Sequence, residues 1–146
     1  MHSNERNLLI LNSLFIIILT AMRLMVFGWI LLAVGLFVIL PIIILHAVSS
    51  TKGFMKYSKL MNKDKFVLFL SFFLFVIFIL FQYEMDDRAG YMIIEALIRR
   101  LSTGVNQYTY DYSSISFPLS IISGLMIIIA DIYILMRIRK IKQLTK

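Results

Sequence analysis

The stretch GLMIIIADIYILMRIRK, residues 124–140, is an apolar run that ends in a cluster of positive charge and is broken once, by Asp131. Extended upstream to Ile115, the run reaches the roughly 20 residues that one bilayer crossing requires. A carboxylate at the centre of such a helix costs on the order of 2.5–3.5 kcal/mol on insertion scales, so it belongs against protein or water rather than lipid. Counting backward from Asp131 by seven and then by fours gives Gly124, Ser120 and Ser116. These four positions share one helix face, and small residues four apart let another backbone approach closely. The acid therefore lies on the stripe that is expected to pack against a neighbour.

The rest of the chain repeats the pattern. Its 146 residues are 60% hydrophobic, with a mean hydropathy of +0.88, whereas a soluble domain is about 45–50% apolar. The apolar residues come in blocks separated by short polar stretches, which means membrane spans. Four are expected, at about 7–24, 26–47, 66–83 and 115–137. The 8–22 run is followed by no small-x-small cleavage site, which argues against a removed signal peptide. Pro41 is expected to kink the second span. The fold class is thus all-α: one integral membrane domain over 1–146, a four-helix bundle with a cytoplasmic loop at 48–65, an outer loop at 84–114 and a basic tail at 138–146. In an alternative with three spans, residues 8–22 lie along the interface.

Charge sets the orientation. The N-terminus, the 48–65 loop and the C-terminal stretch from Arg137 onward carry 11 Lys or Arg against Glu5 and Asp64. The 84–114 loop carries Glu84, Asp86, Asp87, Glu95 and Asp111 against Arg88, Arg99 and Arg100. Positive residues mark the cytoplasmic side, so both termini are expected inside, in the inner (plasma) membrane of a bacterium. Arg23 then falls at the outer turn, where it is expected to snorkel to head groups. The net charge of +7 is a topological signal, and direct nucleic-acid binding is not expected.

On the second span Gly28, Leu32, Gly35, Ile39, Ile42 and His46 form a stripe like that of the fourth. His46 and Asp131 come out at similar depth, so a His46–Asp131 latch inside the membrane is expected, with Ser116, Ser120, Gly124, Gly28 and Gly35 as packing positions. A proton-sensing role and an Asp facing its own copies are the competing readings. Asn12, Ile16, Leu19 and Arg23 share a face of the first helix, suited to bridging hydrogen bonds or, more sharply, to lining a pore.

In the outer loop, YMIIEALIRRL (91–101) places Tyr91, Ile94, Ile98 and Leu101 on one side of a short amphipathic helix. Beyond it Tyr108, Tyr110 and Tyr112 alternate with polar residues, which favours an extended segment. These tyrosines, with Arg99 and Arg100, suit either an aromatic belt or partner recognition. Lys52, Lys56, Lys59, Lys63 and Lys65 offer a cytoplasmic docking face.

Chemistry is sparse. There are no cysteines, and His2 and His46 match no metal-ligand spacing. No nucleophile–base pattern appears, and SISG at 121–124 lacks the leading glycine of a nucleophile elbow. No enzyme activity, cofactor or metal is expected. The expected partners are the lipid bilayer, further copies of the chain, and another membrane or cytoplasmic protein. The combined weight of Phe, Tyr, Met, Ile, Asn and Lys over Gly, Ala, Arg and Pro suggests an AT-rich, accessory bacterial gene. The expected function is contact or envelope sensing of the defence, immunity or exclusion type. A pore-forming oligomer, holin-like or channel, is the alternative, and a small transporter comes last.

Overall fold

The computed structural model describes residues 3–25, 35–85, 90–102 and 113–144. Helix α1 covers Ser3–Met25, and a π-helical turn, Gly35–Ile39, leads into α2, Leu40–Met55. A 3-10 turn at Tyr57–Lys59 passes to α3, Asn62–Leu80. A hairpin follows, β1 (Tyr83–Met85) antiparallel to β2 (Gly90–Met92), with Tyr83 opposite Met92 and Met85 opposite Gly90. Helix α4, Ile93–Ser102, and helix α5, Ser113–Leu144, complete the order. The described structure is nearly all helical. Among the described residues three stretches are long and apolar enough to cross a membrane: Asn4–Leu24, Phe37–Met55 and Ile115–Gln143. Helix α3 opens with Lys63, Asp64 and Lys65, so only its part from Phe66 onward is apolar. It packs most extensively on α5 and also touches α1 and α2, while α2 lies between α1 and α5.

Several boundaries differ from the sequence expectation for identifiable reasons. The second helix does not end at Ala47 but runs on to Met55. Ser49, Ser50, Gly53 and Phe54 in that extension are buried, so it is a packed helix rather than a solvated loop. The connection to α3 is correspondingly short. Pro41 lies just past the π-helical turn Gly35–Ile39, whose Ile39 is itself helical (φ −68°, ψ −48°). It marks the change from π- to α-helix within the Phe37–Met55 stretch, since its missing N–H interrupts the regular bonding there. The last helix continues through the basic tail to Leu144, because nothing in RIRKIKQL breaks a helix and cations favour its C-terminal end.

The short helix in the 84–114 region also differs in phase. Ile93 and Ala96 are buried and Leu97 packs on them, whereas Ile98 is 58% exposed. The expected apolar face through Ile94 and Ile98 is therefore rotated. The hairpin accounts for this: the Ile93 N–H donates to the Gln82 carbonyl at 3.1 Å, which pins Ile93 inward as the chain leaves β2.

Two apolar clusters hold the long helices together. One joins Ile16 and Leu19 of α1, Ile42 and Ile43 of α2, Phe75 and Phe78 of α3, and Ile127 of α5. The other joins Phe54, Leu60, Leu68 and Ile134. Outward-facing positions are also apolar, including Ile17, Phe37, Phe73 and Ile129, which is unfavourable in water and natural in hydrocarbon.

Close approach is enforced at Gly53, a position the small-residue stripes did not single out. A Cβ placed there would meet Leu68 Cδ1 at 2.7 Å and Ile134 Cγ2 at 3.4 Å. The α2 backbone thus rests directly on side chains of α3 and α5. Gly53→Val is expected to destabilise the fold by about 1–3 kcal/mol through overpacking. Loss of helical circular dichroism on heating in mild detergent checks this, and an unchanged midpoint would show that the seam is loose.

Candidate functional site

Helices α1, α2, α3 and α5 meet in one hydrogen-bonded cluster. Asp131 on α5 and His46 on α2 are both fully buried, and His46 Nδ1 lies 3.2 Å from Asp131 Oδ2. Ser71, which interrupts the apolar run of α3, donates its hydroxyl to Asp131 Oδ1 at 2.7 Å. The same hydroxyl oxygen is 3.2 Å from His46 Nδ1. Ser49 donates to the Asp131 backbone carbonyl at 3.2 Å. Ser50 donates back to the His46 carbonyl at 2.7 Å, and its oxygen accepts from Asn12 Nδ2 of α1 at 3.1 Å.

The proton positions follow from the partners. Ser71 gives its proton to Asp131, so its oxygen is an acceptor toward the imidazole. With the Asp131 carboxylate on the other side, His46 Nδ1 faces two acceptors and carries the N–H. The ring stacks on Phe75, with centroids 4.3 Å apart and planes 18° from parallel. Among the described residues, His46 Nε2 is buried without a hydrogen-bond partner, as are Asn12 Oδ1 and Thr20 Oγ1.

This is not the geometry of a nucleophilic pair. A serine activated by a histidine needs the imidazole to accept its proton on one nitrogen while the acid holds the other. Here serine and acid crowd the same nitrogen, and the serine proton points at the acid. What the arrangement does is satisfy a buried carboxylate of α5 from two other helices at once.

A second buried carboxylate sits at the other end of α3. Asp64 occupies the first turn and accepts from the Met61 N–H at 3.4 Å, which caps the helix. It also accepts from Tyr133 Oη at 2.7 Å, Arg137 Nε at 3.1 Å and Arg137 Nη2 at 3.1 Å. Burial raises the Asp64 pKa, but the Arg137 and Tyr133 hydrogen bonds and the guanidinium charge outweigh it, holding the carboxyl below the usual carboxylate value. Sequence reasoning counted Asp64 only as a stray charge. The available signal was Tyr133 and Arg137 four apart on one face of α5, both able to donate.

The polar face of α1 turns inward. Besides Asn12, Arg23 is only 1% exposed and donates Nε–H to Gln82 Oε1 at 2.7 Å. The expected snorkelling of Arg23 is therefore corrected: the side chain ties α1 to the residue just past α3. Near the other end, Glu5 accepts from the Ser58 N–H and hydroxyl at 3.1 and 2.6 Å.

The packing positions are placed as follows. Ser116, Ser120 and Gly124 are buried along α5, and Ser120 returns its hydroxyl to the Ser116 carbonyl at 2.7 Å. Gly124 meets Phe78 of α3 first, where a Cβ would lie 3.1 Å from Cε2, and Ile42 of α2 next. Gly35 is buried in the π-helical turn. Gly28, Tyr108, Tyr110 and Tyr112 lie outside the described residues, and Arg99 and Arg100 are placed only as backbone of α4. Lys52, Lys56, Lys59 and Lys63 are exposed; Lys65 is half-buried, its ammonium 4.9 Å above the Tyr57 ring. No group of three potential metal ligands occurs among the described residues.

The chain matches no protein-family model, and no curated protein or solved structure is significantly similar to it.

Asp131→Ala removes the acceptor shared by His46 and Ser71 and is expected to cost on the order of 1–3 kcal/mol. Asp131→Asn keeps one acceptor oxygen and should lie between the two. Thermal melting in detergent gives the ranking, and equal midpoints for all three proteins would deny the cluster a structural role. Asp64 supplies a pH dependence. Its folded pKa is depressed from 3.8, so its contribution is complete above that value and is lost as pH falls through the folded value. Between about pH 5 and pH 2, wild type should lose more stability than Asp64→Asn.

Proposed function

We propose that the four long helices form a membrane-crossing bundle with both termini cytoplasmic, and that the protein works by contact rather than by catalysis or conduction. On this reading it is a bacterial inner-membrane component of the defence, immunity or exclusion type. It recognises a second protein, or a disturbance of the envelope, through the 84–114 region, further copies of itself or its lysine-rich end. One observation carries the reading. The intramembrane polar groups are turned inward and bonded across helices, with Asn12, His46, Ser49, Ser50, Ser71 and Asp131 in a single cluster. A channel lining needs polar groups facing water, and a hydrolase needs a base free to take a proton. A polar cluster consumed in bonding helices leaves surfaces as the means of action. The assignment to defence rests on size, topology and composition, by analogy.

Induction of the protein alone, in cells loaded with a potential-sensitive dye, should leave the membrane polarised. Depolarisation would replace this reading with the pore. Cells that stay polarised are then challenged with phages, a pore-forming toxin and a conjugative plasmid. At least one challenge should be clearly reduced relative to cells that lack the protein. No protection in any arm would remove the defence assignment.

A further inference from the structure

The end of the molecule that carries Asp64 and Arg137 holds a second feature. Lys56 and Lys59, from the short α2–α3 connection, face Lys142 across a cavity of about 300 Å³ whose apolar wall is Ile138 and Ile141 of α5. The volume is at the small end of ligand sites. The cavity exists because α5 does not stop where its apolar run stops. It continues as a helix to Leu144, which stands its last turns beside the 3-10 turn that carries Lys59.

The chemistry of the lining is specific. Among the described residues it combines three lysine side chains, two branched aliphatic side chains and no carboxylate. Two acids at this end are already engaged: Glu5 accepts from Ser58, and Asp64 accepts from Tyr133 and Arg137. The ammonium groups of Lys56 and Lys59 make no ion pair among the described residues. Ile138 and Ile141 are anchored on the cluster of Phe54, Leu60, Leu68 and Ile134, so the apolar wall is fixed while the lysines reach over it.

We propose that this cavity binds the headgroup of an anionic phospholipid, with the phosphate held by Lys56 and Lys59 and the glycerol end of the chains against Ile138 and Ile141. A mixed lining favours a lipid over a free anion, because a free anion has no use for an aliphatic wall, whereas a lipid presents charge and hydrocarbon together. The position agrees: basic pockets between membrane helices at the cytoplasmic surface bind phospholipid headgroups. Lysine acts there as a point charge on phosphate. The inference rests on the membrane-spanning reading and adds a ligand to the lysine-rich end.

The test uses full-length protein in a neutral detergent, where no surface potential attracts lipid nonspecifically. Carbonate extraction first establishes that the protein is integral; release into the aqueous phase would defeat the membrane reading itself. Protein is then incubated with phosphatidylglycerol or phosphatidylcholine and retained lipid is counted by native mass spectrometry. Wild type should retain phosphatidylglycerol about tenfold better. Lys56→Gln with Lys59→Gln should abolish that preference, while Lys52→Gln with Lys63→Gln, the same loss of charge outside the cavity, should keep it. All these side chains are exposed, so neither double variant disturbs the core. Equal loss in both double variants would reduce the site to diffuse charge, and absence of any preference in wild type would overturn it. In a third arm delipidated protein is titrated with inorganic phosphate. Phosphate that competes as well as the lipid does, and that depends on Lys56 and Lys59, would make the ligand a soluble anion and overturn the lipid assignment.

Discussion

The carboxylate of Asp131 is the point on which the helix arrangement turns. A buried acid with unmet hydrogen-bonding capacity is expensive anywhere and more so where the surroundings are hydrocarbon. The fold meets that demand from two sides, with a histidine from α2 and a hydroxyl from α3, while the Ser49 hydroxyl of α2 bonds the Asp131 backbone carbonyl. These donors fix α2 and α3 relative to α5 in both depth and rotation. Apolar packing alone would not, because aliphatic side chains tolerate sliding and there is little hydrophobic drive between helices already in lipid.

The same logic extends to the ends of the helices. Arg23 with Gln82 closes one end, and Asp64 with Tyr133 and Arg137 closes the other. Neither is a surface ion pair of the weak, screened kind, since Asp64 and Arg23 are almost wholly buried. Between these layers lie the apolar clusters and the close contacts at Gly53 and Gly124. The result is a stack of polar ties separated by aliphatic packing, each tie joining different helices. Polar groups in such a structure are committed to holding it together. That commitment is why function is sought at its surfaces: the lysine-lined cavity, the 84–114 region and the outward aliphatic faces.

Three buried atoms depart from the pattern among the described residues: Asn12 Oδ1, Thr20 Oγ1 and His46 Nε2, the last on a ring that is fully buried and stacked on Phe75. The imidazole meets Asp131 and Ser71 through Nδ1, so the cluster is satisfied at the carboxylate, where an unmet bond would cost most.

The sequence by itself determined that helices of bilayer length exist, that Asp131 must face protein, and that His46 lies at a comparable depth. Those conclusions follow from one-dimensional quantities: apolar run length, helical period and the cost of an acid in hydrocarbon. It did not locate Ser71 as the second donor, because one serine in a phenylalanine-rich run carries no signal until its face is known. Nor did it find Asp64 as a tie, Arg23 as buried, Gly53 as a contact or the rotated phase of α4. Each of these depends on how far helices continue and how they are turned. Tertiary structure decided both, through the burial of Gly53 and Phe54 that carries α2 past its apolar run and the backbone bond that draws Ile93 inward.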